Sequence, residues 1–342
     1  MKIDRCDLNA RVMIVAEIGN NHEGDVRRAE EMIQAAAEAG VDAVKFQVIQ
    51  PHRLVSPFDA PRVQQLARFQ LSYDEFRALS EVAAKYGVLF LATPFDTDAV
   101  GFLKSLVPAF KVASGDITFF PLLEEIARTG KPVILSTGWA TLQEIRRAKN
   151  AVERIWARLR IHQDIAILHC VGAYPTPVGN AHLSAIPHLR ETFRCPVGYS
   201  DHTQGIDAAV AAVAAGARII EKHFTLDHRL STFRDHRLSA TPLKMAKLVK
   251  KIRAVEVMLG CPRKAVYDIE QSSRLSVRRS IVARRDLPCG TLIGEEDIDW
   301  VRPGGGIPPG NEHLVLRKRV TRDMVRGEQI SPADIEGAGR RR

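Results

Sequence analysis

Strand-length apolar runs alternate with helix-length stretches eight times in the first 260 residues of this 342-residue chain. Few folds satisfy that pattern. The apolar, β-branched runs fall at 13–18, 43–48, 88–92, 109–113, 132–135, 165–169, 196–199 and 218–222. Between and after them, amphipathic or alanine-rich stretches fall at 25–39, 73–86, 97–105, 121–129, 142–159, 184–192, 206–215 and 242–259. The apolar runs suit strands buried on both faces, and the longer stretches carry the 3.6-residue period of helices. A helix between two strands returns the chain so that both strands point the same way. Eight such units predict an α/β fold, a closed (β/α)8 TIM barrel whose reactive face is the C-terminal one. Glycines just past helices, Gly40 and Gly216 among them, supply the left-handed stop that turns the chain into the next strand.

What stands at the strand ends is the informative test, because a scaffold needs only turn-formers there. Instead the ends carry Glu17; Lys45 and Gln47; Thr93 and Asp96; Lys111 and Ser114; Ser136 and Thr137; His169 and Tyr174; Ser200, Asp201 and His202; Glu221 and His223. Polar groups converging on a barrel mouth imply a polar, anionic and hydroxylated ligand. His202 and His223 close two adjacent strands and should emerge side by side, with Asp201 and Glu221 as neighbouring carboxylates. Such a pair can hold a divalent metal with positions left for substrate; the alternative is that each imidazole caps its strand by hydrogen bonding. Lys111 and Ser114, in KVASGD, place a cation before a Ser-Gly turn and a helix start, which suits a phosphate, and Lys45 and Ser136 can add to it. A rival reading makes Lys111 or Lys222 the site of a Schiff base with a carbonyl substrate.

Two longer loops leave the same face, at 50–62 and 225–241. The second is dense in His, Arg and Asp, with Asp235 and His236 best placed to reach back to substrate. After residue 260 the periodicity fades. Residues 261–277 are expected to be a linker, and 278–342 a small β-rich domain of short strands broken by turns, with GEEDIDW a single helical turn. The boundary therefore puts the catalytic barrel at 1–260.

Charge and cysteine content narrow the partners. The net charge is +9, with 33 Lys and Arg against 28 Asp and Glu up to residue 260 and 16 against 12 beyond it, part of the latter being Arg340, Arg341 and Arg342. The excess is spread, and no basic helix with interleaved aromatics appears, so nucleic acid is not an expected partner. Five cysteines without a CxxC pair give neither a disulfide framework nor a zinc knuckle. No apolar run approaches the ~18 residues that cross a bilayer, and the opening residues carry no signal-like run, so the expected location is the cytoplasm, away from membranes.

Eight motifs taken in order complete the reading: AEIGNNHEG (16–24), KFQ (45–47), TPFD (93–96), KVASGD (111–116), LSTG (135–138), LHCVGAYPTP (168–177), GYSDHT (198–203) and EKHFT (221–225). Together they resemble the sialic acid synthase family, which includes N-acetylneuraminate, legionaminate and pseudaminate synthases and spore-coat polysaccharide relatives. The tail resembles that family's antifreeze-like (SAF) domain. The resemblance implies condensation of phosphoenolpyruvate with an open-chain amino-sugar aldose, an N-acylated hexosamine, to a nine-carbon 2-keto-3-deoxy acid and phosphate. It implies that His202 and His223 hold a divalent ion, manganese by preference, with magnesium or cobalt as alternatives. It assigns Lys45, Thr93, Lys111, Ser114, Ser136 and Ser200 to the phosphate and carboxylate, and Glu17, Gln47, Tyr174 and Asp235 to sugar hydroxyls and proton transfer. Arg302 would come from the partner's tail in a domain-swapped homodimer.

Three departures from the N-acetylneuraminate synthase pattern bear on the sugar. Gly172 stands where those synthases carry Asn, Arg278 and Arg279 stand where an aromatic precedes the tail's first strand, and FRD (233–235) replaces GPD. A spore-coat-type relative using a non-acetylated sugar, a Schiff-base aldolase, and a non-catalytic sugar- or ice-binding protein are the alternatives.

Overall fold

The computed structural model describes residues 1–337; Arg340, Arg341 and Arg342 lie outside the described residues. The chain divides into two compact units, Met1–Gly260 and Cys261–Arg342. In the first, eight parallel strands close into a barrel: β1 (Met13–Gly19), β2 (Ala43–Val48), β3 (Leu89–Pro94), β4 (Phe110–Val112), β5 (Val133–Ser136), β6 (Ile165–Cys170), β7 (Val197–Asp201) and β8 (Ile219–His223), each beside its sequence neighbour and β8 beside β1. Sequence period and structure agree strand for strand.

Alternation along each strand explains why the barrel has an apolar end and a charged end. Met13, Val15, Ala43, Leu89, Leu91 and Ile219 point inward and pack as one inner cluster with Ile134 and Leu168. The next inward positions, two residues further along the same strands, are Glu17, Lys45, Thr93, Ser136 and Glu221. A hairpin of Lys2–Ile3 and Cys6–Asp7 closes the apolar end by burying Ile3 and Leu8 in that cluster, a contribution of about 1.5–3 kcal/mol per side chain. The outward positions, such as Ile14, Val44 and Phe46, pack under the surrounding helices. Those helices start where capping chemistry directs. Glu75 N–H donates to Ser72 Oγ at 3.2 Å while Ser72 N–H donates to Glu75 Oε2, and Thr141 and Glu144 repeat the arrangement.

The loop after β2, expected to be irregular, contains helices Pro51–Leu54 and Ala60–Ala67. Its own residues account for this: proline stands in the first turn of each, and Asp59 accepts a hydrogen bond from the Arg62 N–H.

In the second unit, the stretch expected to be a linker holds helix Asp268–Val277. Glu270 Oε2 accepts from the Tyr267 N–H at 2.9 Å and acidic residues fill the first turn, a local signal that the missing apolar period concealed. Strands Ser280–Ala283 and Ile298–Val301 then pair antiparallel, and GEEDIDW supplies a 3-10 turn, Glu295–Asp297, leading into the second of them. The core is Ile281, Leu287, Ile293, Val315, Met324 and Ile330 with their neighbours.

This unit also carries an internal repeat that the strand-and-turn reading did not reveal. RRDLPCGTLIGEEDI (284–298) matches TRDMVRGEQISPADI (321–335), pairing Arg285 with Arg322 and Asp297 with Asp334. The two halves bind each other reciprocally: Arg326 N–H donates to Asp286 Oδ1 at 2.8 Å, and Cys289 N–H donates to Asp323 Oδ1 at 2.7 Å. Arg302 follows the second strand and is exposed.

Candidate active site

At the C-terminal ends of the barrel strands lies a cavity of about 1080 Å³. Twelve of the thirteen sequence-nominated residues line it, all but Arg302. Its floor is a chain of buried charges. Lys45 Nζ sits 2.9 Å from Glu17 Oε2, 3.6 Å from Glu221 Oε2 and 3.2 Å from Thr93 Oγ1. Lys111 Nζ lies 3.8 Å from Glu221 Oε1, and Ser200 donates to that oxygen at 2.9 Å. Gln47 donates to Glu17 Oε1 at 3.0 Å and accepts from Asn20 at 2.9 Å.

The two carboxylates are driven apart. Burial raises Glu221, but Lys111 and Lys45 outweigh it and bring its carboxyl down to about 2. Burial raises Glu17 too, and there it prevails over Lys45, with Glu221 adding repulsion, so Glu17 rests above the ordinary carboxylate range. Glu221 therefore stays ionised between the lysines, while Glu17 holds a proton more readily than an ordinary carboxylate. Burial likewise lowers the Lys111 ammonium against the pull of Glu221.

Opposite the floor stand the two imidazoles. The rings of His202 and His223 are 5.4 Å apart between centroids, and Tyr174 packs on His202 at 4.1 Å. His202 Nδ1 is 2.9 Å from the Val171 carbonyl, which can only accept; Nδ1 therefore carries the proton and Nε2 keeps its lone pair. Burial lowers the His223 imidazole towards its neutral form, and its Nδ1 is buried with no hydrogen-bond partner among the described residues. Both rings thus offer a ligand-ready nitrogen, and the pair fits a divalent ion. No cluster of three or more His, Cys, Asp and Glu side chains able to hold a metal occurs among the described residues, so an ion here would rest on two imidazoles with oxygen from water or substrate.

Several strand-end residues turn out to be structural. Asp201, expected beside the imidazoles, faces the helices and pairs with Lys222 Nζ at 2.9 Å, both side chains fully buried. Register explains it: Ile219, Glu221 and His223 point into the barrel, so Lys222 and its neighbour Asp201 on β7 point out. Lys222 is thereby removed as a Schiff-base lysine. Asp96 caps helix Thr97–Leu103 through the Ala99 N–H, Thr137 bonds the Leu168 carbonyl, and His169 Nε2 meets the Ala181 carbonyl at 2.9 Å. His236 is fully buried against Glu23 and Thr225 rather than reaching towards substrate.

Other cavity residues escaped the sequence reading. Asp116, in the turn after Ser114, lines the cavity with Oδ2 buried and unpartnered; burial, opposed by Lys111, lifts its carboxyl to about 6. Asn20 and Cys170 line it too, and the latter's Sγ lies 3.7 Å from His202 Nδ1. Trp139, at φ +57°, has its indole in the wall against Gly172, where an added Cβ would lie 1.9 Å from the ring. The Asn-to-Gly departure at 172 therefore makes room for this indole. Arg234 places its guanidinium 4.6 Å from the Tyr174 ring centroid and donates to Asp235 at 3.1 Å.

Comparison with known proteins agrees with the site. A model described as the NeuB family matches residues 32–264, and a SAF domain model matches residues 278–336. N,N'-diacetyllegionaminic acid synthase of Legionella pneumophila is 38% identical over 94% of this chain and 94% of its own. The solved structure of N-acetylneuraminic acid (sialic acid) synthetase from Leptospira borgpetersenii has a TM-score of 0.75 at 36% identity, covering 80% of this chain and 94% of that one. That of spore coat polysaccharide biosynthesis protein SpsE from Bacillus subtilis has a TM-score of 0.67 at 32% identity, covering 98% of each. With one family model spanning more than half of its length and these relatives aligned over 80% or more of it, the chain belongs to the NeuB family, its barrel followed by a SAF domain.

Proposed function

We propose that this protein is a nonulosonic acid synthase that condenses phosphoenolpyruvate with the open-chain form of an N-acylated hexosamine, giving a nine-carbon 2-keto-3-deoxy acid and phosphate. The observation that carries the reading is the juxtaposition, in one cavity, of a lysine-rich floor with a pair of ligand-ready imidazoles. Lys45 and Lys111 would hold the phosphate and carboxylate of phosphoenolpyruvate, with Thr93, Ser114, Ser136 and Ser200 supplying hydroxyls. The Ser136 Oγ is buried without a partner among the described residues, as a group waiting for a ligand oxygen would be. Gln47, Tyr174 and Asp235 would fix the acceptor so that its aldehyde faces the enol carbon.

The new bond joins C3 of phosphoenolpyruvate to the aldehyde carbon, whose oxygen takes a proton; Glu17, held above the ordinary carboxylate range, is the donor the site offers. Water then adds at C2, and phosphate leaves with its bridging oxygen as the ketone forms. Glu221 stays ionised between the lysines and stabilises the cationic C2 that water must reach. His202 and His223 would hold a divalent ion, manganese by preference, whose chemistry is to polarise the aldehyde oxygen. The family's domain-swapped homodimer, with Arg302 supplied by the partner chain, goes with this reading; mixing His223→Ala and Arg302→Ala chains should restore activity if sites are shared.

The test is phosphate release from phosphoenolpyruvate with a panel of N-acylated and plain aldohexoses. Release with an N-acylated acceptor supports the proposal, and none with any aldose overturns it. A Schiff base would rest on Lys111; borohydride trapping followed by mass spectrometry should leave Lys111 unmodified.

A further inference from the structure

The segment Phe233–Arg234–Asp235–His236 borders the cavity, and three of its residues are anchored to different parts of the barrel. Phe233 meets Phe69, from the loop after β2, at 4.8 Å between ring centroids. Arg234 lies over Tyr174, from the loop after β6. Asp235 lines the cavity. His236 points the other way: Nε2 is 2.9 Å from Glu23 Oε1 and Nδ1 is 2.8 Å from Thr225 Oγ1, with none of its side chain exposed.

A second tie runs beside the first. Asn21 Nδ2 donates to the Phe224 carbonyl at 2.8 Å and to Ser239 Oγ at 2.9 Å, and Ser239 Oγ–H donates to the Asp235 carbonyl at 2.6 Å. Asn21 and Glu23 both belong to the loop after β1, so that loop holds the 224–239 segment at three points, Phe224 before Asp235 and His236 and Ser239 after it. Glu23 reaches its place through a left-handed backbone, φ +52°, that costs a residue with a side chain about 1 kcal/mol or more and persists only where the surroundings hold it.

We propose that Glu23 and His236 are a positioning pair through which the loop after β1 fixes Asp235 at the acceptor end of the cavity. Glu23 also borders the cavity whereas His236 does not, and neither needs to touch the reacting atoms. His236 carries the backbone that presents Asp235, and Glu23 orients the imidazole, as an outer hydrogen-bond partner orients a ligand. The assignment of Asp235 to the acceptor rests on the synthase reading; the holding of the segment does not.

The experiment uses the full chain with Glu23→Ala, Glu23→Gln, Asp235→Ala and the Glu23→Ala/Asp235→Ala double variant. Phosphate release gives the KM of each substrate, and amide hydrogen exchange is followed over residues 226–239. Glu23→Ala should lower acceptor kcat/KM about 10- to 100-fold, mainly through the acceptor KM, with the phosphoenolpyruvate KM unchanged. Glu23→Gln, which keeps an oxygen for His236, should recover most of the loss. In the Asp235→Ala background, Glu23→Ala should cost less than about twofold more, because residues acting as one unit are not additive. Exchange over 226–239 should quicken in Glu23→Ala and not in Glu23→Gln. Full additivity with Asp235→Ala would show that Glu23 meets substrate itself and would overturn the proposal, as would unchanged exchange. Failure of every acceptor in the wild type would remove the synthase reading, while the exchange arm would still decide the positioning claim.

Discussion

Both units bury carboxylates, and they use them in opposite ways. In the second unit, Asp297 accepts from Arg285 Nε at 2.7 Å and from the Gly294 N–H at 2.9 Å, and its repeat counterpart Asp334 accepts from Arg322, the Ser331 N–H and Ser331 Oγ. Each is fully partnered. At the barrel mouth, by contrast, Asp116 Oδ2, Ser136 Oγ, His223 Nδ1 and Asn20 Oδ1 are buried with no partner, whereas no side-chain atom of the second unit's described residues is left so. Closed networks fasten a fold, and networks left open at a cavity wait for a ligand. Unpartnered buried atoms also occur away from the cavity, at Arg218 Nη2 and Arg253 Nε, so it is the gathering of four of them around one cavity that marks the barrel mouth as a ligand site.

The comparison is most sharply broken at Glu221. Glu221→Gln leaves Lys111 buried without a carboxylate, while Lys45 keeps Glu17 at 2.9 Å, and should destabilise the barrel by about 3–5 kcal/mol, read by denaturant unfolding. A loss under 1 kcal/mol would mean that the floor is solvated like a surface.

Asp334→Asn probes the closed network. Asn keeps one oxygen and replaces the other with an NH2 group, so either the Arg322 bond or the Ser331 bonds are lost, at a cost of about 1–3 kcal/mol read by thermal melting; an unchanged melting temperature would show that the network does not fasten this unit.

Gly172→Ala tests whether the cavity wall is a fitted surface. Its Cβ would overlap the Trp139 indole, and overpacking of this kind costs about 1–3 kcal/mol. Trp139→Ala in the same chain should restore stability; no rescue would place the clash elsewhere.

The smallest effect belongs to Asp116. Its folded pKa of about 6 lies above the ordinary 3.8, so the folded chain retains a proton that the unfolded chain gives up. The group costs nothing below pH 3.8, and its cost grows as the pH rises to 6. The residue is half-buried, and solvent screening holds the penalty to about 1 kcal/mol. Asp116→Asn should therefore match the wild type at pH 4 and melt a few degrees higher at pH 7. A difference constant across that range would show that Asp116 is ionised throughout.

Much of this was legible in the sequence because a barrel strand repeats every two residues. Once Ile219 is inward, Glu221 and His223 must be inward too, and Lys222 and Asp201 must not. The same parity removes Asp201 from the imidazoles, although adjacency in sequence had suggested it. The roles of Asp96 and Thr137 were not legible, because a strand-end hydroxyl or carboxylate serves a helix cap as readily as a ligand. His236 was unreadable for a different reason: its partners, Glu23 and Thr225, come from opposite ends of the barrel sequence. The tail's duplication was available at the level of residue identity, yet its strands are too short for periodicity to announce it.

The most direct measurement of the central claim is phosphate release from phosphoenolpyruvate and an N-acylated aldohexose by the wild type and by His223→Ala, each with and without excess chelator. Release should need both substrates, fall by about 10²–10³-fold in the variant, and stop in the chelated wild type. Release that survives chelation, or a His223→Ala variant as active as the wild type, would contradict that claim.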